Sequence, residues 1–158
     1  MEFDPAGADL SLASLFAGWA LADELQRRLA ADGFADARFA DGVVFQHLVA
    51  GPVTISTLAE RLGVTQQAAS KSVVDLEKRG YLSREPDPAD ARARNVVLTH
   101  RGQAVIGAAR RQRAALESEL RQAFGDERVE AARLLLVDTI KRLGASPSIR
   151  ARAVRPPR

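Results

Sequence analysis

The sequence predicts a mainly α-helical fold with one small β-hairpin. Apolar residues recur every three or four positions along most of the 158 residues, which is the spacing of amphipathic helices. Glycine and proline interrupt this pattern at intervals. Two short runs, YLSRE at 81–85 and NVVLT at 95–99, have the composition of strands, and the polar residues between them predict a long hairpin tip. A chain of this length can bury the core of one domain.

Four helices are expected before the hairpin. They are predicted over residues 8–31, 38–50, 55–63 and 66–80. Gly33 ends the first helix, the Gly51-Pro52 pair ends the second, and the hydroxyl groups of Thr54 and Thr65 can cap the third and fourth. The third helix has only two turns, and a tight turn after Gly63 separates it from the longer fourth helix. This order predicts a helix-turn-helix, and the hairpin directly after it predicts the winged form.

Two further helices follow the hairpin. One is predicted over 100–124, and a last one follows Gly125, with Asp126 as its expected cap. The last helix has an apolar stripe that includes four apolar residues in a row at 134–137, which is too wide for a monomer and predicts a homodimer. Residues 145–158 contain three prolines and no periodicity, and we expect them to form a disordered basic tail.

The composition excludes several classes of site. The absence of cysteine excludes disulfides, thiolate metal sites and thiol oxidation. His47 and His100 are the only histidines, and no Ser/His/Asp set, glycine-rich phosphate loop or carboxylate pair is evident, so we expect no enzyme, no metal and no cofactor. We see no signal peptide and no apolar stretch of the roughly 18–20 residues that a membrane span needs. A cytoplasmic protein with no membrane partner is expected.

The fourth helix has two different faces. Ala69, Val73 and Leu76 share the side that is expected to face the core. The first two turns present polar residues on the other side, namely Thr65, Gln66, Gln67, Ser70 and Lys71. A recognition helix in the major groove contacts bases with its N-terminal residues, and Gln and Lys suit adenine and guanine edges. These five residues are therefore candidate contacts to double-stranded DNA, although polar residues on a helix face are usually only solvated.

Residues 52–103 resemble the MarR (multiple-antibiotic-resistance regulator) family of winged helix-turn-helix transcription factors. The resemblance rests on LAERLGV, on DLEKRGYL, and on the Asp-x-Arg pair of Asp90 and Arg92 that leads to VVLT. It implies that Arg92 reaches into the minor groove beside a half-site. Asp90 could hold the Arg92 guanidinium extended or accept backbone N–H groups in the turn. Arg94 is expected closer to the strand, on a phosphate. The family often has a second basic residue where this chain has Ala91, so the wing is expected to bind DNA less tightly than in those relatives.

The resemblance also implies a small aromatic effector. Regulators of this family often hold phenol-like ligands between the first helices and the winged module. The candidate pocket residues are therefore Phe16, Trp19, Phe45 and His47, although most aromatic residues here are expected in the core or the dimer interface. His47 is expected to be a core or interface histidine rather than a metal ligand.

These observations predict one MarR-like domain over residues 1–144. Residues 1–37 and 101–144 would form the dimerisation helices, and residues 38–100 the DNA-binding module. The expected function is a sequence-specific regulator, in the family's usual mode a repressor, which binds a near-palindromic operator as a homodimer and is released by the effector. Two alternatives stay open: a sequence-indifferent architectural DNA-binding protein, and a winged-helix module that binds an acidic protein.

Overall fold

A computed structural model describes residues 7–87 and 94–144 of the chain. It confirms the predicted class, because helices dominate and the strands form one small antiparallel sheet. The helices are α1 (Leu10–Leu29), α2 (Asp41–Phe45), α3 (Ile55–Leu62), α4 (Gln66–Lys78), α5 (His100–Phe124) and α6 (Asp126–Leu143). The strands are β1 (Val53–Thr54), β2 (Leu82–Pro86) and β3 (Arg94–Leu98). The expected basic tail and the hairpin tip lie outside the described residues.

The caps that define the helix-turn-helix are confirmed. The Thr54 hydroxyl accepts the Thr57 N–H at the start of α3, and the Thr65 hydroxyl accepts the Ala68 N–H at the start of α4, both at 3.2 Å. Gly63 closes α3 with φ +64° and ψ +36°, a left-handed conformation that glycine adopts without a steric cost. Each side-chain cap contributes about 1 kcal/mol. Local chemistry therefore sets the tight turn between α3 and α4.

Three boundaries differ from the sequence prediction. The second helix was expected over 38–50, but α2 ends at Phe45 and turns with i→i−3 hydrogen bonds follow it. In those turns Arg61 donates to the His47 carbonyl, a contact from α3 that the local sequence does not show. A π-helical turn, Ala30–Phe34, extends α1 through Gly33, which has φ +90°. The cap of α6 is Gly125 and not Asp126, whose carboxylate lies 3.6 Å from the Arg121 guanidinium.

The hairpin belongs to a three-stranded sheet. Strand β3 lies in the centre, with β1 and β2 antiparallel on either side. Val96 pairs with Val53 on one side and with Arg84 on the other, and it is fully buried. The sequence prediction missed β1, because its two residues are too few for an alternating pattern. This strand holds the hairpin against the N-terminus of α3.

The core lies beneath α3, α4 and the sheet. Its largest fully buried side chains are Tyr81, Leu58, Leu76, Val73 and Val96. Burial of each such aliphatic side chain contributes about 1.5–3 kcal/mol. The C-terminal half of α1 and the N-terminal half of α5 complete this core, whereas α6 has no buried residue in the single chain.

Candidate nucleic-acid interface

Helix α4 packs so that the side with the five candidate DNA contacts, its predicted reading face, points outward. Ala69 and Val73 have 0% of their surface exposed and Leu76 has 1%, which confirms the expected core side of the helix. The five candidate contacts lie together in the first two turns on the other side. Thr65, Gln66, Gln67 and Lys71 are exposed, and Ser70 is half-buried. The buried side fixes the rotation of α4 and hence the direction of these polar groups.

The N-terminus of α4 offers further hydrogen-bond donors. The Thr65 hydroxyl accepts the Ala68 N–H, which leaves its own proton as a donor. The first N–H groups of a helix have no acceptor within it, and the helix dipole places partial positive charge at the same end. The start of α4 therefore suits an anion such as a backbone phosphate.

The wing begins directly beside α4. Register pairs Pro86 with Arg94 and Arg84 with Val96, so that Arg84 and Arg94 lie on the same face of the hairpin. Arg84 forms an ion pair of 3.3 Å with Glu77, which joins the base of the wing to α4. Arg94 is exposed at the start of β3. Asp90 and Arg92, the two candidate contacts at the tip, lie outside the described residues.

An ion-pair cluster fixes the other end of α4. The Arg79 guanidinium donates to both carboxylate oxygens of Asp41 at 2.6 and 2.9 Å, and to Asp75 at 2.6 Å. The Arg79 and Asp41 side chains are only 12% and 9% exposed. The hydrogen bonds to Asp41, and then the one to Asp75, raise the pKa of Arg79, while the hydrogen bond from Arg79 lowers the pKa of Asp75. No local sequence pattern indicates this cluster, because 38 residues separate Arg79 from Asp41.

The cluster continues to Tyr81 and α5. The Tyr81 hydroxyl donates to Asp36 at 2.6 Å, and Arg101 donates to the same carboxylate oxygen at 2.8 Å. Burial, and then the hydrogen bond to Asp36, raise the pKa of Tyr81 to about 12. The hydrogen bonds from Tyr81 and Arg101 lower the pKa of Asp36. The residues just before α2 are thus tied to both α4 and α5.

A cavity of about 540 Å³ lies between α1, α2 and α5. Its wall is mainly aliphatic, with Phe39 and Phe45 as its aromatic residues. Of the four predicted pocket residues, only Phe45 is in this wall. Phe16 and Trp19 stack edge to face on α1, with ring centroids 5.3 Å apart, and His47 is half-buried in the turns after α2.

Three arginines and two glutamines supply polar groups to the same cavity. They are Arg38, Arg110, Arg113, Gln26 and Gln46. Arg38 forms an ion pair with Asp75 at 3.2 Å. Arg110 and Arg113 project from α5 and are exposed. An apolar wall with cationic groups at its edge suits a small organic molecule with an acidic group.

A wide apolar face is exposed on the outer helices. On α1 it includes Leu12, Leu15 and Trp19, which is 56% exposed. On α6 it includes Leu134, Leu135, Leu136 and Ile140, each between 44% and 51% exposed. Apolar surface of this extent on a water-exposed chain marks an interaction site.

Residues 42–93 match the MarR family model. These residues span α2, the helix-turn-helix and the first strand of the wing, with part of the hairpin tip. The chain carries a MarR-family winged-helix module. The motifs LAERLGV and DLEKRGYL and the pair of Asp90 and Arg92 lie within this match, and VVLT follows it.

Solved MarR-type structures share the fold across most of the chain. MepR, a transcription regulator of the Staphylococcus aureus efflux pump MepA, is 19% identical with a TM-score of 0.67, and the match covers 86% of this chain and 99% of MepR. A MepR variant bound to an oligodeoxyribonucleotide is 20% identical with a TM-score of 0.63, at the same coverage. A MarR-like regulator from Thermotoga maritima is 24% identical with a TM-score of 0.64, covering 88% and 99% of the two chains. The chain therefore shares its fold with these structures over most of its length.

A curated relative of another kind matches only a short stretch. Riboflavin kinase from Thermoplasma acidophilum is 53% identical over 32 residues, which is 20% of this chain and 14% of the kinase. A match this short does not indicate kinase activity. Among the residues that the structure describes, no helix is long and apolar enough to cross a membrane.

Proposed function

We propose that the chain is a sequence-specific DNA-binding transcription regulator. The observation that carries this proposal is the outward face of α4, where Gln66, Gln67 and Lys71 are exposed on a helix whose other side is buried. A helix that presents several hydrogen-bonding side chains from its first two turns can enter the major groove. The MepR variant bound to an oligodeoxyribonucleotide supports this use of the fold.

Each candidate contact has a separate role in the proposal. Gln66, Gln67 and Lys71 read base edges, and Thr65 and Ser70 bind the backbone at the start of α4. Arg92 enters the minor groove with Asp90 beside it. Arg94, exposed at the base of the tip, binds a phosphate.

The regulator acts as a homodimer in this proposal. Residues 1–37 and 101–144 form the dimer, and residues 38–100 form the reading module. The exposed apolar faces of α1 and α6 support this division, since a second copy of the chain would cover them. Two modules related by a two-fold axis read the half-sites of a near-palindrome, and occupancy of a promoter represses transcription.

A small aromatic acid in the 540 Å³ cavity would release the DNA. The apolar wall accepts a ring, and Arg110 and Arg113 pair with a carboxylate or phenolate. Release requires that the ligand binds the DNA-free state more tightly than the DNA-bound state. Titration of the protein–operator complex with a panel of aromatic acids, salicylate and 4-hydroxybenzoate among them, tests this point. Unchanged operator affinity across the panel would contradict it.

Substitutions on α4 test the reading face. The operator is first selected from genomic fragments that the purified protein retains, beginning with its own promoter. Gln67→Ala and Lys71→Ala are each expected to cost about 1–3 kcal/mol of operator binding. Lys78→Ala removes an exposed lysine from the far end of the same helix and serves as the matched control. Equal losses for Lys71→Ala and Lys78→Ala would show that α4 supplies only charge.

A further inference from the structure

One segment of the chain faces both the cavity and the recognition helix. In the 36–42 segment, which ends with the first two residues of α2, Ala37, Arg38, Phe39 and Gly42 line the cavity. The same segment holds Arg79 directly after α4. The Asp36 carbonyl accepts from Arg79 at 2.8 Å, and the Asp41 carboxylate accepts from both terminal nitrogens of Arg79.

The contact between this segment and Arg79 is geometrically strict. A guanidinium and a carboxylate that share two parallel hydrogen bonds must keep both their distance and their plane. The Asp41 carboxylate also accepts the backbone N–H of Arg38 at 2.8 Å, which fixes it to its own segment. Because both side chains are nearly buried, separating them would leave two unpaired charges with little access to solvent. The segment and the end of α4 therefore move together more easily than apart.

A second route of ion pairs, called the second arm below, also connects the 36–42 segment to α4; the Arg79–Asp41 pair is the first arm. Arg79 also pairs with Asp75 of α4, and Asp75 pairs with Arg38 of the segment. Arg38 is at once a residue of the cavity wall and a partner of the recognition helix. A molecule in the cavity that displaces this wall acts on both arms.

We propose that Arg79 is a positioning residue that couples the cavity to the recognition helix. Filling the cavity displaces the 36–42 segment, and the Arg79–Asp41 pair transmits that displacement to α4. This inference deepens the proposed function by giving the route of regulation, and it rests on that function only for its effect on DNA.

Spin labels within one chain test the coupling without DNA. The chain has no cysteine, so Ser72→Cys on α4 and Ser118→Cys on α5 can be labelled alone. Refolding with an excess of unlabelled chain limits the measured distances to those within a single chain. The cavity is filled by Ala109→Phe from α5, or by Ala22→Phe from α1 where the first variant does not fold. Neither substitution alters the 36–42 segment.

Arg79→Lys keeps the positive charge but removes the forked hydrogen bonds. We expect the filling substitution to shift the α4–α5 distance when Arg79 is present, and to leave it unchanged in Arg79→Lys. Asp75→Asn, which weakens the second arm, should reduce the shift and replaces Arg79→Lys where that variant does not fold. Arg121→Lys is the matched control, since Arg121 pairs with Glu117 and Glu130 between α5 and α6, and it should retain the full shift.

The outcomes separate this inference from the proposed function. The coupling would be overturned if the α4–α5 distance shifted equally in the parent and in Arg79→Lys. It would also be overturned if the parent showed no shift. If the coupling holds, filling should weaken operator binding by about tenfold in the parent, within the usual range of allosteric coupling, and by much less in Arg79→Lys. A coupled shift in a protein that binds no DNA would support the inference and contradict the proposed function.

Discussion

The hydroxyl group of Tyr81 donates a hydrogen bond of 2.6 Å to the carboxylate of Asp36. Tyr81 is fully buried directly before β2, and its ring lies 4.9 Å from the Arg101 guanidinium. Asp36 precedes the residues that wall the cavity. Arg101 of α5 donates to the same carboxylate oxygen, so the two hydrogen bonds join the start of the wing, the segment next to the cavity wall and α5. The ionisation of Tyr81 is therefore a probe of this cluster.

Tyr81 is the only tyrosine of the chain, so tyrosinate absorbance reports on it alone. Burial and the hydrogen bond to Asp36 raise its pKa to about 12 from the ordinary tyrosine value of 10.0. A raised pKa stabilises the fold below pH 10.0, and this stabilisation is lost as the pH rises towards about 12. We expect the folded protein to titrate near the upper value, with circular dichroism confirming that it is still folded. A midpoint near 10 in the folded protein would contradict the burial of this hydroxyl.

Gly102 occupies a position in α5 that has no room for a side chain. A Cβ atom there would lie 2.2 Å from the Tyr81 carbonyl oxygen. Gly102→Ala should therefore destabilise the protein by about 1–3 kcal/mol or more, measured by thermal or urea unfolding. Gly107→Ala is the matched control in the same helix, where the nearest atom is 3.5 Å away on the Arg111 side chain. We expect the control to be neutral or to stabilise by up to about 1 kcal/mol, because alanine favours a helix.

The two wing arginines should respond differently to substitution. Arg92→Ala is expected to cost about 1–3 kcal/mol of operator binding and to leave the melting temperature unchanged. The loss should be largest on operators with A·T-rich flanks, where the minor groove is narrow and strongly negative. Parent-like operator binding by Arg92→Ala would mean that the wing tip is only solvated.

Arg94→Ala serves as the comparison for the same wing. A phosphate contact carries no sequence information, so its loss should weaken operator and random DNA by similar factors. The dependence of log affinity on log salt concentration should flatten by about one charge. A loss confined to the operator would instead place Arg94 on a base edge.

Light scattering tests the proposed dimer. The parent should have twice the chain mass at micromolar concentration, and Leu136→Glu on the exposed face of α6 should lower that mass towards the monomer. Val74→Glu places the same charge on an exposed apolar position of α4 and should leave the mass unchanged. Trp19, the only tryptophan, is 56% exposed in the single chain, so its emission should shift to longer wavelength as the dimer dissociates. A monomeric parent would contradict a palindromic operator.

Local chemistry explains what could be predicted from the sequence. Thr54, Gly63 and Thr65 act within their own turns, so the helix-turn-helix and the outward face of α4 followed from neighbouring residues alone. The Arg79–Asp41 pair joins residues 38 positions apart, and no local pattern marks either partner. The pocket prediction relied on aromatic residue type, which does not define where a side chain points. The cavity wall is mostly aliphatic, and only Phe45 of the predicted set lies in it.

Fluorescence anisotropy on two duplexes tests the central proposal most directly. One duplex carries the genomic fragment that the protein retains, and the other has the same base composition in random order, with both measured over a range of salt concentrations. A sequence-specific regulator should bind the first at least about 10³-fold more tightly at physiological salt, and both affinities should fall steeply as salt increases. Equal affinity for the two duplexes would indicate an architectural DNA-binding protein, and the absence of salt-dependent binding to either would contradict the account.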